Sequence, residues 1–146
     1  MRTVFYCHRA TEPEAETTRA CGNLESLLFA RSTGLLGNFR IIPGRQDHAT
    51  NFHGNWDAWA QGVPHRINSM TRRPLYNLFV VPQTTIGKAT AQILQAALEL
   101  RRPVYYWDGA GWFVRVREIR CFDPMYFKGG WGVVIPSTSL LSPTTP

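Results

Sequence analysis

Residues 76–107 read YNLFVVPQTTIGKATAQILQAALELRRPVYYW and carry the pattern that decides the fold class. The apolar run at 76–81 indicates a buried strand, and the proline after it cannot donate to a sheet ladder. Apolar residues then recur at helical spacing over 89–101 until Pro103 stops the helix. The run Val104–Trp107 indicates another strand. This order predicts a βαβ crossover, and therefore a parallel pair of strands.

The amino-terminal part of the chain predicts a second crossover. Residues 3–7 are β-branched and aromatic, as in a buried strand. Thr11 and Glu14 then have capping-box spacing at the start of a helix, whose exit is marked by Gly34. A second strand is expected over 38–42, where Pro43-Gly44 ends it.

The remaining segments are shorter or more polar. Residues 45–55 are rich in His and Asn and are expected to form a loop, with a short helix over 56–61. Residues 108–111 are a strong turn signal. The alternating run at 112–119 and the apolar run at 131–135 then predict strands of an antiparallel extension.

The predicted fold class is therefore α/β, with a mostly parallel sheet flanked by helices and a C-terminal antiparallel β extension. Residues 1–136 are expected to form a single domain. Residues 137–146 are rich in Ser, Thr and Pro and are expected to form a flexible tail.

Composition narrows the class of protein. The chain has 146 residues, 44% hydrophobic and 18% charged, which fits one folded domain. No apolar stretch approaches the roughly 20 residues of a membrane span, and a cytoplasmic location is expected. Cys7, Cys21 and Cys121 are few and widely spaced, so neither a disulfide framework nor a zinc site is indicated. The net charge of +6 favours anionic ligands, although the basic residues are scattered along the sequence.

The candidate ligand site lies at the carboxyl ends of the predicted parallel strands, where open α/β sheets bind ligands. The loop after the strand at 76–81 is the main candidate, because Gly87 permits close approach of backbone and the next helix offers free N–H groups. Thr84 or Thr85 is expected to cap that helix, and Lys88 adds a positive charge. The other candidates at neighbouring strand ends are His8, Arg9, Gly44, Arg45, Asp47, Trp107 and Asp108.

The central stretch resembles a known superfamily. Its apolar strand, small-residue turn, alanine-rich helix and Pro-Val strand entry are similar to the core of nucleoside 2-deoxyribosyltransferase-like and related Rossmann-like nucleotide-binding domains. The resemblance covers about a third of the chain and implies a Rossmann-like sheet, a nucleoside-type pocket and homo-oligomeric assembly. It is carried by Leu78, Phe79, Val80, Val81, Pro82, Gly87, Thr90, Ala91, Gln92, Ala96, Ala97, Pro103 and Val104.

The chain departs from that superfamily at the catalytic position. The transferases use a glutamate near the helix start to attack the sugar carbon, and Gln92 stands at the corresponding place here. An amide is a far weaker nucleophile than a carboxylate. Gln92 is therefore carried over as a ligand-binding candidate, and no catalytic residue is assigned.

Three functions follow from the sequence. The first is a nucleoside- or nucleotide-binding Rossmann-like protein, either a binding protein or a diverged 2-deoxyribosyltransferase or N-glycosidase-like enzyme. The second is a basic nucleic-acid-binding module, and the third is a small oligomeric interaction protein without catalytic activity. No cofactor or membrane partner is expected. No metal is expected either, because Asp47, His48 and His53 lack a standard metal-ligand spacing.

Overall fold

The computed structural model describes residues 2–31, 38–121 and 131–137. Its centre is a seven-stranded sheet in the order β2-β1-β5-β7-β8-β9-β6. The first four strands are parallel, and each later strand is antiparallel to its neighbour. In chain order the sheet strands are β1 (Arg2–Tyr6), β2 (Phe39–Pro43), β5 (Leu78–Val81), β6 (Thr85–Ile86), β7 (Val104–Trp107), β8 (Phe113–Cys121) and β9 (Gly132–Pro136). A separate antiparallel hairpin pairs β3 (Ile67–Asn68) with β4 (Arg73–Pro74).

Helices cover both faces of the sheet. They are α1 (Glu14–Arg31), α2 (Gly44–Asn51), α3 (Trp56–Gly62) and α4 (Lys88–Glu99), with a short 3-10 helix at Val63–His65. The alternation of side chains along β1 supplies both layers. Val4 packs with Leu24 of α1 on one face, whereas Phe5 belongs to the cluster that contains Trp59 of α3 and Leu94 of α4 on the other.

The predicted α/β class is confirmed as a mixed sheet flanked by helices with an antiparallel extension. The crossover from β5 through α4 to β7 is also confirmed, since Phe79, Val80 and Val81 pair in parallel with residues of β7. The predicted exit of α1 at Gly34 and most of the predicted tail lie outside the described residues.

Two local predictions were wrong. Residues 45–55 do not form a loop throughout, because Gly44–Asn51 is the helix α2. Its sequence has no apolar stripe, so packing rather than pattern must stabilise it. The expected threonine cap of α4 is also absent: the N-cap is Gly87, while Thr85 belongs to β6, which pairs with β9.

Candidate functional site

A cavity of about 230 Å³ opens at the carboxyl edge of β1, between the sheet and the helices α2, α3 and α4. Ligands of open α/β sheets bind at this edge. The volume is below the roughly 300–1,000 Å³ of pockets for drug-sized ligands, which favours a smaller molecule. The lining residues are Phe5, Cys7, His8, Ala10, Gly44, Arg45, His48, Trp56, Trp59, Ala89, Thr90 and Ile93.

Local periodicity explains how each element contributes to the cavity. Phe5 on β1 and Cys7 directly after it are two residues apart and belong to the same core cluster, on one side of the sheet. Gly44 and His48 are four residues apart on α2, as are Ala89 and Ile93 on α4, so each pair lies on one helix face. The cavity is thus bounded by one strand end and helical faces.

His48, Trp56 and Trp59 line the cavity and form an aromatic cluster with Phe52. The ring of His48 stacks on Trp56 at 4.3 Å between centroids with an interplanar angle of 20°, and meets Trp59 edge-on at 5.1 Å. Phe52 lies 4.4 Å from the same imidazole. Trp56 remains 54% exposed. The indole of Trp56 is therefore packed against neighbouring aromatic rings and still accessible to solvent.

His48 has an unused polar atom inside this apolar surrounding. Its Nε2 is buried and has no hydrogen-bond partner among the residues that the structure describes. A buried polar atom without a partner costs about 1–3 kcal/mol, so it tends to mark a place where a ligand or water completes the site. His48 is also one of the residues that line the cavity.

His8 also lines the cavity, but both of its ring nitrogens already have hydrogen-bond partners. Its Nε2 accepts from the backbone N–H of Arg45 at 2.9 Å, and its Nδ1 donates to the carbonyl of Arg9 at 2.8 Å. Burial lowers the pKa of His8, and the nearby Arg45 charge acts in the same direction. His8 therefore fixes the start of α2 as a neutral imidazole, with neither nitrogen free to bind a metal or take a proton.

Arg45 connects the cavity to the start of α1. Its Nη2 donates to the carbonyl of Glu12 and, at 2.8 Å, to Oγ1 of Thr17. Its Nε is buried and has no hydrogen-bond partner in the described part of the chain. The guanidinium thus adds a positive charge to the polar end of the cavity.

Asp47, a predicted site residue, lies in a buried network and not in the cavity lining. It is 3% exposed, and its carboxylate accepts hydrogen bonds from Nε1 of Trp59 at 2.9 Å, from Nε of Arg66 at 3.0 Å and from the hydroxyl of Tyr76. Burial and the hydrogen bond to Asp47 raise the pKa of Tyr76. Asp47 therefore joins α2 to Trp59 of α3 and to the segments that carry Arg66 and Tyr76.

The loop after β5, which the sequence analysis predicted as the main ligand site, is partly closed by pairing with the sheet. Ile86 is buried, its carbonyl accepts from the N–H of Trp131, and the carbonyl of Thr84 accepts from Val134. Lys88 lies 3.4 Å from a carboxylate oxygen of Asp57 and 5.3 Å from the ring centroid of Trp131.

Residues just after this loop line the cavity. Gln92 donates to Asp57 at 3.2 Å and does not line the cavity, whereas Ala89 and Thr90 do. The start of α4 therefore reaches the site by its first turn.

The three other candidates lie outside the cavity lining. Arg9 is exposed at the end of β1. Trp107 is buried in the cluster beneath α1, on the opposite face of the sheet. Asp108 accepts from the backbone N–H groups of Ala110 and Trp112 and so closes the β7–β8 turn. Among the sequence candidates the cavity brings together His8, Gly44 and Arg45, while the ligand role of every candidate stays a prediction.

The sequence analysis missed the aromatic part of the site. Its signal is the recurrence of His48, Phe52, Trp56 and Trp59 at intervals of three or four residues, which is typical of helix faces. The polar residues between them hid this pattern by suggesting a loop.

No family model matches this chain, and searches of the curated proteins and of the solved structures give no match either. Within 2–31, 38–121 and 131–137, the helices lack either the length or the apolar character needed to cross a bilayer. The same residues contain no group of three or more His, Cys, Asp or Glu side chains placed to hold a metal ion.

Proposed function

We propose that the cavity binds the planar ring of a small heterocyclic ligand of the nucleobase or nucleoside type. The observation that carries this proposal is the cavity lining, in which His48 meets Trp56 and Trp59 while its buried Nε2 has no partner in the described chain. An aromatic ring packs against Trp56 with favourable offset or edge contacts, and a ring nitrogen or exocyclic group of the base supplies the missing hydrogen bond.

The sheet order supports a ligand site at the carboxyl edge of β1. Counting only the parallel strands, β2-β1-β5-β7 follows the order 2-1-3-4 with which the flavodoxin-like type of doubly wound sheet begins. In that order the direction of winding reverses between β1 and β5, and ligands bind at the carboxyl edge there. The cavity begins at Cys7 and His8, directly after β1.

Binding without glycosyl transfer fits the lining best. The lining residues of the described chain include no carboxylate that would attack a sugar carbon. Cys7 is the one thiol of the lining, and burial raises its pKa. A thiol in this state is a poor nucleophile.

A ligand panel measured by calorimetry and thermal unfolding tests the proposal. Purine and pyrimidine bases, nucleosides and their 5′-monophosphates are titrated into the full chain. A true ligand at about 100 times its Kd stabilises the fold by about 2.7 kcal/mol. Absence of both heat and thermal shift across the whole panel at millimolar ligand would falsify the proposal.

Two variants assign the binding to this cavity. Trp56→Ala removes a stacking surface worth about 1–3 kcal/mol per base, so affinity is expected to fall roughly 5- to 150-fold. His48→Phe retains a ring but removes Nε2, and affinity is expected to fall about fivefold. Trp112→Ala is the matched control, because this exposed indole lies outside the cavity. Equal losses in Trp56→Ala and Trp112→Ala would place the ligand elsewhere.

A further inference from the structure

We infer that the amino edge of the parallel sheet is a second, separate binding surface, which holds the phosphodiester backbone of a nucleic acid. The basic residues concerned are scattered in the sequence, but they lie near the starts of the parallel strands or in the hairpin that precedes β5. We call this set the arginine edge. Its members are Arg2, Arg40, Arg72, Arg73, Arg101 and Arg102.

Sheet pairing places the first two arginines at the starts of adjacent strands, where side-chain alternation puts them on opposite faces of the sheet. Arg2 opens β1 opposite Phe39, and Arg40 lies opposite Thr3 on the neighbouring strand. The chain that leaves the β3–β4 hairpin reaches the same edge, since the N–H of Asn77 donates to the carbonyl of Thr3 at 2.8 Å. The starts of β1 and β2 and the chain that follows the hairpin thus meet at one edge of the sheet.

The other arginines extend the edge past β5. The N–H of Phe79 donates to the carbonyl of Pro103 at 2.9 Å, so Arg101 and Arg102 enter β7 beside the start of β5. Nε of Arg102 also donates to the carbonyl of Pro64, close in sequence to the hairpin. Adjacent strands are about 4.8 Å apart, so the four strand starts span about 15 Å.

Most of this charge is free to meet a ligand. The side chains of the arginine edge are exposed except that of Arg102, and none makes an ion pair with another described residue. By contrast, Arg66 is paired with Asp47, and both Arg117 and Arg120 lie beside Glu118.

Two features favour a nucleic acid over an anionic membrane. All six cations are arginines, whose planar guanidinium binds phosphate through two parallel hydrogen bonds. The β3–β4 hairpin is a two-stranded ribbon, an element that a major groove admits. It carries Met70 at 93% and Ile67 at 61% exposure, and apolar side chains of this kind wedge between bases. Trp and Tyr anchor proteins at membrane interfaces, and the exposed indoles of the described chain, Trp56 and Trp112, lie away from this edge.

Fluorescence anisotropy of the full chain with labelled single- and double-stranded oligonucleotides of about 20 nucleotides tests the inference. Binding is expected at about 50 mM salt, with a log–log salt slope of about −3 to −5 for four to six phosphate contacts. Arg73→Gln removes one contact and should make that slope shallower by about 1 for every sequence tested. Arg19→Gln removes one exposed arginine on α1, away from the edge, and should leave the slope unchanged.

Three results overturn the inference. They are absence of binding at about 50 mM salt, equal slopes for Arg73→Gln and Arg19→Gln, and tighter binding to phosphatidylserine vesicles than to either oligonucleotide with the same sensitivity to Arg73→Gln. The last result assigns the edge to a membrane surface. Trp56→Ala is expected to leave oligonucleotide binding intact, so failure of this inference is distinguishable from failure of the cavity proposal.

Discussion

The imidazole of His8 and the backbone of Arg45 are joined by a 2.9 Å hydrogen bond, which the N–H of Arg45 in the first turn of α2 donates to Nε2 of the ring. Pro43 precedes α2 and provides no side-chain cap. His8, which follows β1, therefore supplies the acceptor that the side chain of an N-cap residue normally supplies. This bond fixes the position of α2, and with it the position of His48 in the cavity.

His8→Ala is expected to destabilise the fold by about 1 kcal/mol, the usual cost of losing an N-terminal cap. Urea unfolding at pH 7.5 measures it. His65→Ala, a change at an exposed histidine, is the control and should have little effect. Equal losses in the two variants would show that the His8–Arg45 bond contributes nothing specific.

The free energy of unfolding is expected to fall in mildly acidic solution because of His8. The pKa of His8 is lowered from its usual value of 6.5, so the folded state holds fewer protons than the unfolded state below that pH. The His8 contribution is complete above about pH 6.5 and is lost as the pH falls through the lower folded-state pKa. Unfolding free energies of wild type and His8→Ala, measured from pH 7.5 downward, should converge, and a constant difference would contradict this assignment.

Asp47→Asn is expected to cost about 3 kcal/mol, because it leaves the guanidinium of Arg66 without its buried partner. Asp57→Asn is a matched control, since Asp57 forms an exposed pair with Lys88 and such pairs contribute under about 1 kcal/mol. Urea midpoints compare the two. A loss of stability in Asp47→Asn no larger than that in Asp57→Asn would show that the hydrogen-bond network of Asp47 contributes little to the stability of the fold.

The three cysteines should react with iodoacetamide in the order Cys121, Cys21, Cys7. Cys121 is exposed, whereas burial, with Glu12 nearby, raises the pKa of Cys21 to about 11, and burial raises that of Cys7 further. Alkylation needs the thiolate, so rates at pH 8 follow these values. Peptide mapping by mass spectrometry reads the order, and early labelling of Cys7 would mean that the cavity opens widely in solution.

Gly132→Ala is expected to destabilise the antiparallel extension by about 1–3 kcal/mol. A Cβ at this position would lie 3.0 Å from the carbonyl oxygen of Arg120, which belongs to the paired backbone of β8. Gly111→Ala meets no described atom within 4 Å and serves as the control. Thermal unfolding of the two variants compares them, and an unchanged Tm for Gly132→Ala would show that β8 and β9 separate easily.

Local pattern was sufficient for the elements with strong apolar periodicity. The strand at β5, the helix α4 and the strand β7 each carry a continuous or helical apolar pattern, and they formed as expected within a residue or two. The helix α2 has no such pattern. It is helical because Asp47 is buried among Trp59, Arg66 and Tyr76, which are 12 to 29 residues further along the chain.

The sequence by itself determined the α/β class, the parallel crossover and the edge at which a ligand site was expected, because these follow from apolar periodicity and chain length between strands. Only the tertiary structure decided that His48 and Trp56 line the cavity in place of Thr84 and Lys88, and that scattered arginines share one edge. Both outcomes depend on the order in which strands pair and on contacts between residues distant in sequence. The local sequence pattern does not encode strand order or these contacts, because both depend on how elements that are separate in sequence pack together.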